Sequence, residues 1–302
     1  MKVQKYNKIH LIENKKWIFI KKFSIFAISK WYFQQNSVRY MQIITLTTDW
    51  GEKDWYGGRI KGRLHSMIDD IQVVDLNHNI EKFDLRSAAF VVKNSCMDFP
   101  AGTIHIIDVN TYEDRDKSFI VVKYNEQYYI CTDNGLPSIA FEGKDIEIYD
   151  CSHVLSDSNY YTFAVLDMFA KVTSIIAKEK GIETIGSKLD RFATDKSIPQ
   201  AIVYHDRIVC QVVYIDDYGN VYLNINDIEF EKALNGRKFE LQIDIGYATI
   251  TELSSSYADK VIKGKALLTI SSTHNLELAV REDNFARLLG YEIGRNVIIK
   301  II

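Results

Sequence analysis

Acids and amides collect where the β-rich runs of this chain stop. The run MQIITLTT (41–48) ends in Asp49, Trp50 and Gly51, and Asp54 follows five residues after Asp49. IQVVDL (71–76) carries Asp75 and leads to His78 and Phe83. A third run closes on Asp133-Asn134-Gly135, and a fourth, IDDYGNVYLN, holds Asp216, Asn220 and Asn224. In open α/β sheets, ligands bind at the carboxyl ends of the strands, so a carboxylate delivered there is placed to hold one. Each stretch also has a plainer reading. D-x-G and D-N-G are turn sequences, Asp49 can cap the next helix, and His78 alone reads as a hydrogen-bonded core or turn histidine. Cys96, Cys131, Cys151 and Cys210 show no C-x-x-C spacing and no accompanying His cluster, so they read as reduced thiols of a cytoplasmic protein. No metal and no cofactor is expected.

The elements that would position these groups follow from periodicity. MQIITLTTD is a continuous apolar run, as in a strand buried on both faces. DWYGGRIKGRLHSMI places Tyr56, Ile60 and Leu64 on one helical stripe. IQVVDL is a second strand, and Asp84 is placed to cap the helix LRSAAFVVKNSCMDF that follows. GTIHIIDV is a third strand. Alternation of strand and helix predicts an α/β N-terminal domain with a mainly parallel sheet over 41–190. SFIVVKY and QYYICT flank a short polar turn at Asn125–Glu126, a hairpin. LDMFAKVTSIIAKEKG reads as a helix ended by Gly181. The stretch 191–200 reads as a linker. From 201 to 302 the texture is short strands and turns, which predicts an all-β C-terminal barrel or sandwich domain.

Charge narrows the partners. Residues 1–40 carry nine Lys/Arg and one Glu, whereas the remaining residues carry 28 Lys/Arg against 39 Asp/Glu, a balance of -11. An acidic body argues against nucleic acid. The first forty residues contain no apolar run near the ~20 residues of a membrane span. They are expected to be a basic extension from an upstream start codon, with the functional chain opening at Met41; a basic membrane-surface helix is the alternative.

The ordered set TDWG (48–51), DWYGGRIKG (54–62), VDLNHNIEKFD (74–84), FPAGTIH (99–105), DNG (133–135) and DDYGN (216–220) resembles the S-adenosylmethionine (SAM) hydroxide adenosyltransferases, relatives of the halide-using fluorinase and chlorinase. The resemblance spans 41–302. It implies a homotrimer whose small-molecule nucleoside substrate lies where one subunit's N-terminal domain meets a neighbour's C-terminal domain. It also implies cleavage of SAM by water at ribose C5′ to adenosine and L-methionine. Carried over by position, Asp49 clamps the ribose diol and Phe83 lines the substrate. Asp216 takes the ammonium group and Asn220 reads adenine, while Tyr222 forms an aromatic wall. Ser272 lies by the amino-acid head, and Asp54 near the nucleophile.

The water-activating set departs from the family pattern. The family's Asp and Arg lie in D-P-G-V-G-T-x-R and its His in T-F-H-G-R-D. Aligned without gaps, these positions fall on Asn110, Lys117 and Ala164. Asp108 and Arg115 keep the seven-residue offset at the cost of a two-residue shift, which preserves side-chain facing but moves each group by about 7 Å. The ungapped reading is preferred, with Asn110 positioning water and a buried Lys117 of lowered pKa polarising it. The serine that contacts fluoride in the halide enzymes falls on Val165. A non-catalytic SAM or adenosine binder, and adenosyl transfer to another nucleophile, stay open as alternatives.

Overall fold

The computed structural model describes residues 41–111, 118–154, 163–178, 182–243, 248–259 and 262–302. Chain order in the first part is β1 (Gln42–Thr48), α1 (Tyr56–Met67), β2 (Ile71–Asn77), α2 (Leu85–Ser95), β3 (Ile104–Asp108), β4 (Phe119–Tyr124), β5 (Gln127–Thr132), α3 (Leu136–Ala140) and β6 (Glu147–Asp150). A π-helical turn (Val165–Phe169), α4 (Ala170–Ala177) and β7 (Lys188–Leu189) complete it. The sheet order is β2-β1-β3-β5-β4-β6-β7. Its core lies on both faces. Ile44, Leu46 and Ile106 pack with Ile60 and Leu64 of α1, while Ile107 and Ile120 pack with Ala88 and Val92 of α2. Adjacent residues Ile106 and Ile107 therefore serve opposite layers, which explains the unbroken apolar run of β3.

The parallel expectation holds for half of this sheet. β2-β1-β3-β5 pair in parallel, and β5-β4-β6-β7 pair antiparallel. The cause is local. Asn125 (φ 50) and Glu126 (φ 58) are both left-handed, the signature of a two-residue turn whose twist matches a hairpin and reverses the chain. The helix expected from Leu166 begins instead as the π-helical turn, and α4 ends at Ala177. Gly181, expected to end it, lies outside the described residues, as does Lys117.

The second part pairs its strands antiparallel: β8 (Ile202–Val203), β9 (Arg207–Ile215), β10 (Val221–Asn226), β11 (Phe239–Ile243), β12 (Ala248–Ile250), β13 (Ala266–Ile270), β14 (Asn275–Val280) and β15 (Asn296–Ile301), with one isolated parallel bridge. The order β12-β11-β15-β9-β10-β14-β13 bends until Ser254, just past β12, bridges Thr269 of β13. This nearly closed, barrel-like sheet wraps a core of Val212, Leu223, Phe230, Leu241, Leu278 and Ile299. Two short helices, α5 (Asp227–Leu234) and α6 (Phe285–Leu289), interrupt it, and Asn226 with Glu229 forms a capping box for α5. Among the described residues, no helix is long and apolar enough to cross a membrane.

Candidate active site

The parallel half of the first sheet brings Asp49 and Asp108 to neighbouring strand ends. β1 and β3 are in register with Thr48 opposite Asp108, so Asp49 is the next residue out. Asp49 is not a helix cap: α1 starts after Trp55 with no side-chain cap at all. Its Oδ2 instead accepts from the backbone N–H of Phe83 (3.0 Å) and of Asn110 (3.2 Å). Both donors have left-handed backbones, Phe83 at φ 67 and Asn110 at φ 51, a conformation uncommon outside glycine. Two loops are thus curled inward to grip one carboxylate. Both bonds fall on Oδ2, and among the described residues none falls on Oδ1. The Lys82 ammonium sits on the Asp49 carbonyl. Phe83 itself turns its ring to solvent, 67% exposed.

Asp108 is buried on the other side of this grip. Trp50 Nε1 donates to its Oδ2 (2.6 Å). Its Oδ1 is enclosed and accepts no aligned hydrogen bond from a described residue. Burial, chiefly, pushes this carboxyl up to about 7, and the Asp49 charge adds to the effect, while the Thr111 hydroxyl and Trp50 offset part of it. The Trp50 ring is held by Tyr56, by Phe163 edge-on and by His78 in a stack. His78 is occupied: Nδ1 bonds Thr48 Oγ1 (2.7 Å), and Nε2 lies 3.0 Å from Asp75 Oδ1, a close electrostatic contact without hydrogen-bond alignment. Burial would raise the Asp75 carboxyl, but Lys61 and His78 hold it below the ordinary range. Asp54 is exposed in the turn before α1, and no described hydrogen bond ties it to Asp49, Asp108 or Asn110.

A second group forms in the barrel. Asp216 closes the β9–β10 turn, accepting from Asn220 N (2.8 Å), Asn220 Nδ2 (3.0 Å) and Tyr222 Oη (3.2 Å). Across the sheet from Tyr222 is Glu277, fully buried, whose Oε1 accepts from Tyr257 (2.7 Å). Burial raises Glu277 and the Asp216 charge adds to this, against the Tyr257 bond. The Tyr222 ring meets Phe90 of α2 edge-on, and Phe90 stacks on Tyr214, so this group abuts the α/β part of its own chain. Ser272 is exposed in the β13–β14 turn, near the Asn226 end of β10; the Asp216–Asn220 turn lies at the Val221 end. At about 3.4 Å per residue these ends are roughly 17 Å apart. Within one chain, the described contacts join Asp49, Phe83 and Asn110 to each other, and Asp216, Asn220 and Tyr222 to each other, but not the two groups.

The remaining strand-end residues are structural. Asp133 accepts from the Ala193 amide (2.6 Å) and the Thr194 amide (3.3 Å), which pins the expected linker to the sheet. Asn134 Nδ2 donates to the Val109 and Asn110 carbonyls, so the D-N-G turn holds the loop that grips Asp49. Asn224 accepts from Gln211 N (2.7 Å) within the barrel. Sequence reasoning passed over Trp50, which follows Asp49 and donates to Asp108; its signal was its place directly after Asp49.

Comparison with known proteins identifies the family. Residues 44–186 match the SAM hydroxide adenosyltransferase N-terminal domain, and 210–298 its C-terminal domain. An (R)-S-adenosyl-L-methionine hydrolase of Methanocaldococcus jannaschii is 26% identical over 83% of this chain and 93% of its own length. A fluorinase of Nocardia brasiliensis is 24% identical over 86% of this chain and 97% of its own. The crystal structure of an uncharacterized conserved protein from Thermotoga maritima shares the fold with a TM-score of 0.76, at 24% identity over 85% of this chain and 99% of that one.

Proposed function

The chain belongs to the SAM hydroxide adenosyltransferase family, and from that premise we propose that it cleaves SAM with water at ribose C5′, releasing adenosine and L-methionine. The observation that carries this reading is the Asp49 grip. A carboxylate at a strand's carboxyl end, with one oxygen fixed by two backbone amides, is a preorganised acceptor for a vicinal diol.

The chemistry is a displacement. Water oxygen bonds C5′, the C5′–S bond breaks, and its electron pair neutralises the sulfonium to give the thioether of methionine. The leaving group is good, so the protein's work is to orient and desolvate water and to take its proton. Asn110 and Lys117 are assigned to water and Asp54 to the nucleophile side. Phe83 offers an aromatic face to the sulfonium, a contribution of about 0.5–2 kcal/mol. Asp216 with Tyr222 and Asn220 forms the ammonium and adenine side; Ser272, assigned by its motif to the amino-acid head, stands at the far end of β10 from that turn and is not part of this set within one chain. The separation of the two groups within one chain fits a site shared between copies, Asp49 of one facing Asp216 of another in a homotrimer. The working compartment is the cytoplasm.

The test is incubation with SAM and chromatography of the products. Adenosine and methionine in equal amounts support hydrolysis. Saturable SAM binding with no adenosine above the uncatalysed rate would leave a binder instead.

A further inference from the structure

Resting on that reading, we propose that Glu277 is a positioning residue that works in its protonated form. It gives its carboxyl proton to the Tyr222 oxygen, and Tyr222 gives its own to Asp216, the acid assigned to the substrate ammonium. The donor chain ends on Asp216 and leaves it as the anion of the group.

Glu277 is buried on the outward face of its strand. On β10 and β14, Val221, Leu223, Leu276 and Leu278 fill the barrel core, so the alternating and directly paired Tyr222 and Glu277 point away from it. An acid on such a face is ordinarily left in water. Glu277 is instead fully covered. The segment after β12 lies over it. Thr269, its partner on β13, donates to the Ser254 carbonyl (2.8 Å), and Tyr257 reaches back to Glu277 Oε1 (2.7 Å). Tyr222 flanks it on β10, backed edge-on by Phe90.

Counting protons sets the form of this acid. Burial, chiefly, holds both tyrosines above their ordinary range, so each keeps its single hydroxyl proton at neutral pH. Tyr257 gives its proton to Glu277, and Tyr222 gives its proton to Asp216 Oδ2 (3.2 Å). Glu277 lies within hydrogen-bonding reach of the Tyr222 hydroxyl, yet its Oε2 is enclosed and receives no aligned hydrogen bond from a described residue. With the Tyr222 proton spent, a proton between these two groups has to come from Glu277. Among the described residues, the titratable groups acting on Glu277 are Tyr257, Asp216 and Tyr222. None is a cation, and burial and the Asp216 charge both oppose its ionisation.

The consequence falls on Asp216. A carboxylate has about four acceptor sites. Asn220 N, Asn220 Nδ2 and Tyr222 Oη take three of them, which leaves one for an ammonium N–H. Holding Tyr222 therefore holds the direction of the remaining site.

The experiment compares wild type, Glu277→Ala and Glu277→Gln by SAM calorimetry, by kcat and KM, and by infrared difference spectroscopy at neutral pH. Glu277→Ala should raise Kd and KM by about 5–30-fold with kcat little changed, because the ammonium is remote from C5′. Glu277→Gln, whose amide N–H donates as the acid does, should recover most of that affinity. The carbonyl stretch of a protonated carboxyl should be present in wild type and missing in Glu277→Gln; Asp108 contributes equally to both spectra and cancels. A glutamine variant as weak as the alanine one, or loss of a carboxylate band in place of an acid band, would overturn the inference. If Glu277→Ala does not fold, the infrared comparison still decides. Wild-type protein that binds SAM but makes no adenosine overturns hydrolysis alone, with affinities and spectra still deciding for Glu277. Wild-type protein that binds no SAM would overturn both.

Discussion

Two aspartates at neighbouring strand ends of one sheet, Asp133 after β5 and Asp108 at the end of β3, are treated in opposite ways. Asp133 is answered: two amides from 193–194 saturate it and staple a passing segment to the sheet. Asp108 is left with one oxygen bonded and one enclosed without an aligned partner. Asp49 is intermediate, gripped on Oδ2 by two curled loops. Burial opposes ionisation at both Asp133 and Asp108; the Ala193 and Thr194 amides counter it at Asp133, and the Thr111 hydroxyl and Trp50 counter part of it at Asp108, where the Asp49 charge adds to the rise. Asp133 is spent on architecture, whereas Asp108 keeps one buried oxygen without an aligned partner among the described residues.

Substitutions can break this contrast. The largest effect is expected at Asp49→Ala. Losing the acceptor for two ribose hydroxyls should weaken SAM binding by about 3–6 kcal/mol, roughly 10²–10⁴-fold in Kd. The Phe83 and Asn110 amides lose their partner as well, so the thermal midpoint should fall too, and titration of the folded fraction separates the two. Asp133→Ala should do the reverse, costing about 1–3 kcal/mol of stability by denaturant melting with Kd for SAM unchanged. An equal loss of binding would erase the distinction. The smallest effect is expected at Phe83→Ala. Its backbone amide still holds Asp49, so only the exposed ring is lost, and affinity should drop by about 0.5–2 kcal/mol without a change in melting.

Much of this was legible in the residues. Asp84 is the cap its position predicted, accepting from Arg86 and Ser87 amides. The Asn125–Glu126 turn and the apolar runs of β1 and β3 read directly as structure, because turn chemistry and burial leave local marks. The antiparallel half of the first sheet did not, since β6 and β7 join it through pairings that no local period records. Asp108 carried the family's seven-residue offset to Arg115, but the ungapped reading set it aside for Asn110. Its surroundings depend on Trp50, 58 residues away in sequence, which donates to its Oδ2. Helix α5 was missed inside a β-rich stretch, although Asn226 and Glu229 carry the three-residue spacing of a capping box. Ser272 illustrates the opposite limit: its motif position was clear, but not that it stands at the far end of β10 from Asp216 within one chain.

The most direct measurement is hydrolysis of SAM in water labelled with heavy oxygen, with mass analysis of both products. The account predicts adenosine carrying the label at its 5′-hydroxyl and methionine carrying none, because water attacks C5′. Unlabelled adenosine, or no adenosine beyond the uncatalysed rate, would contradict it.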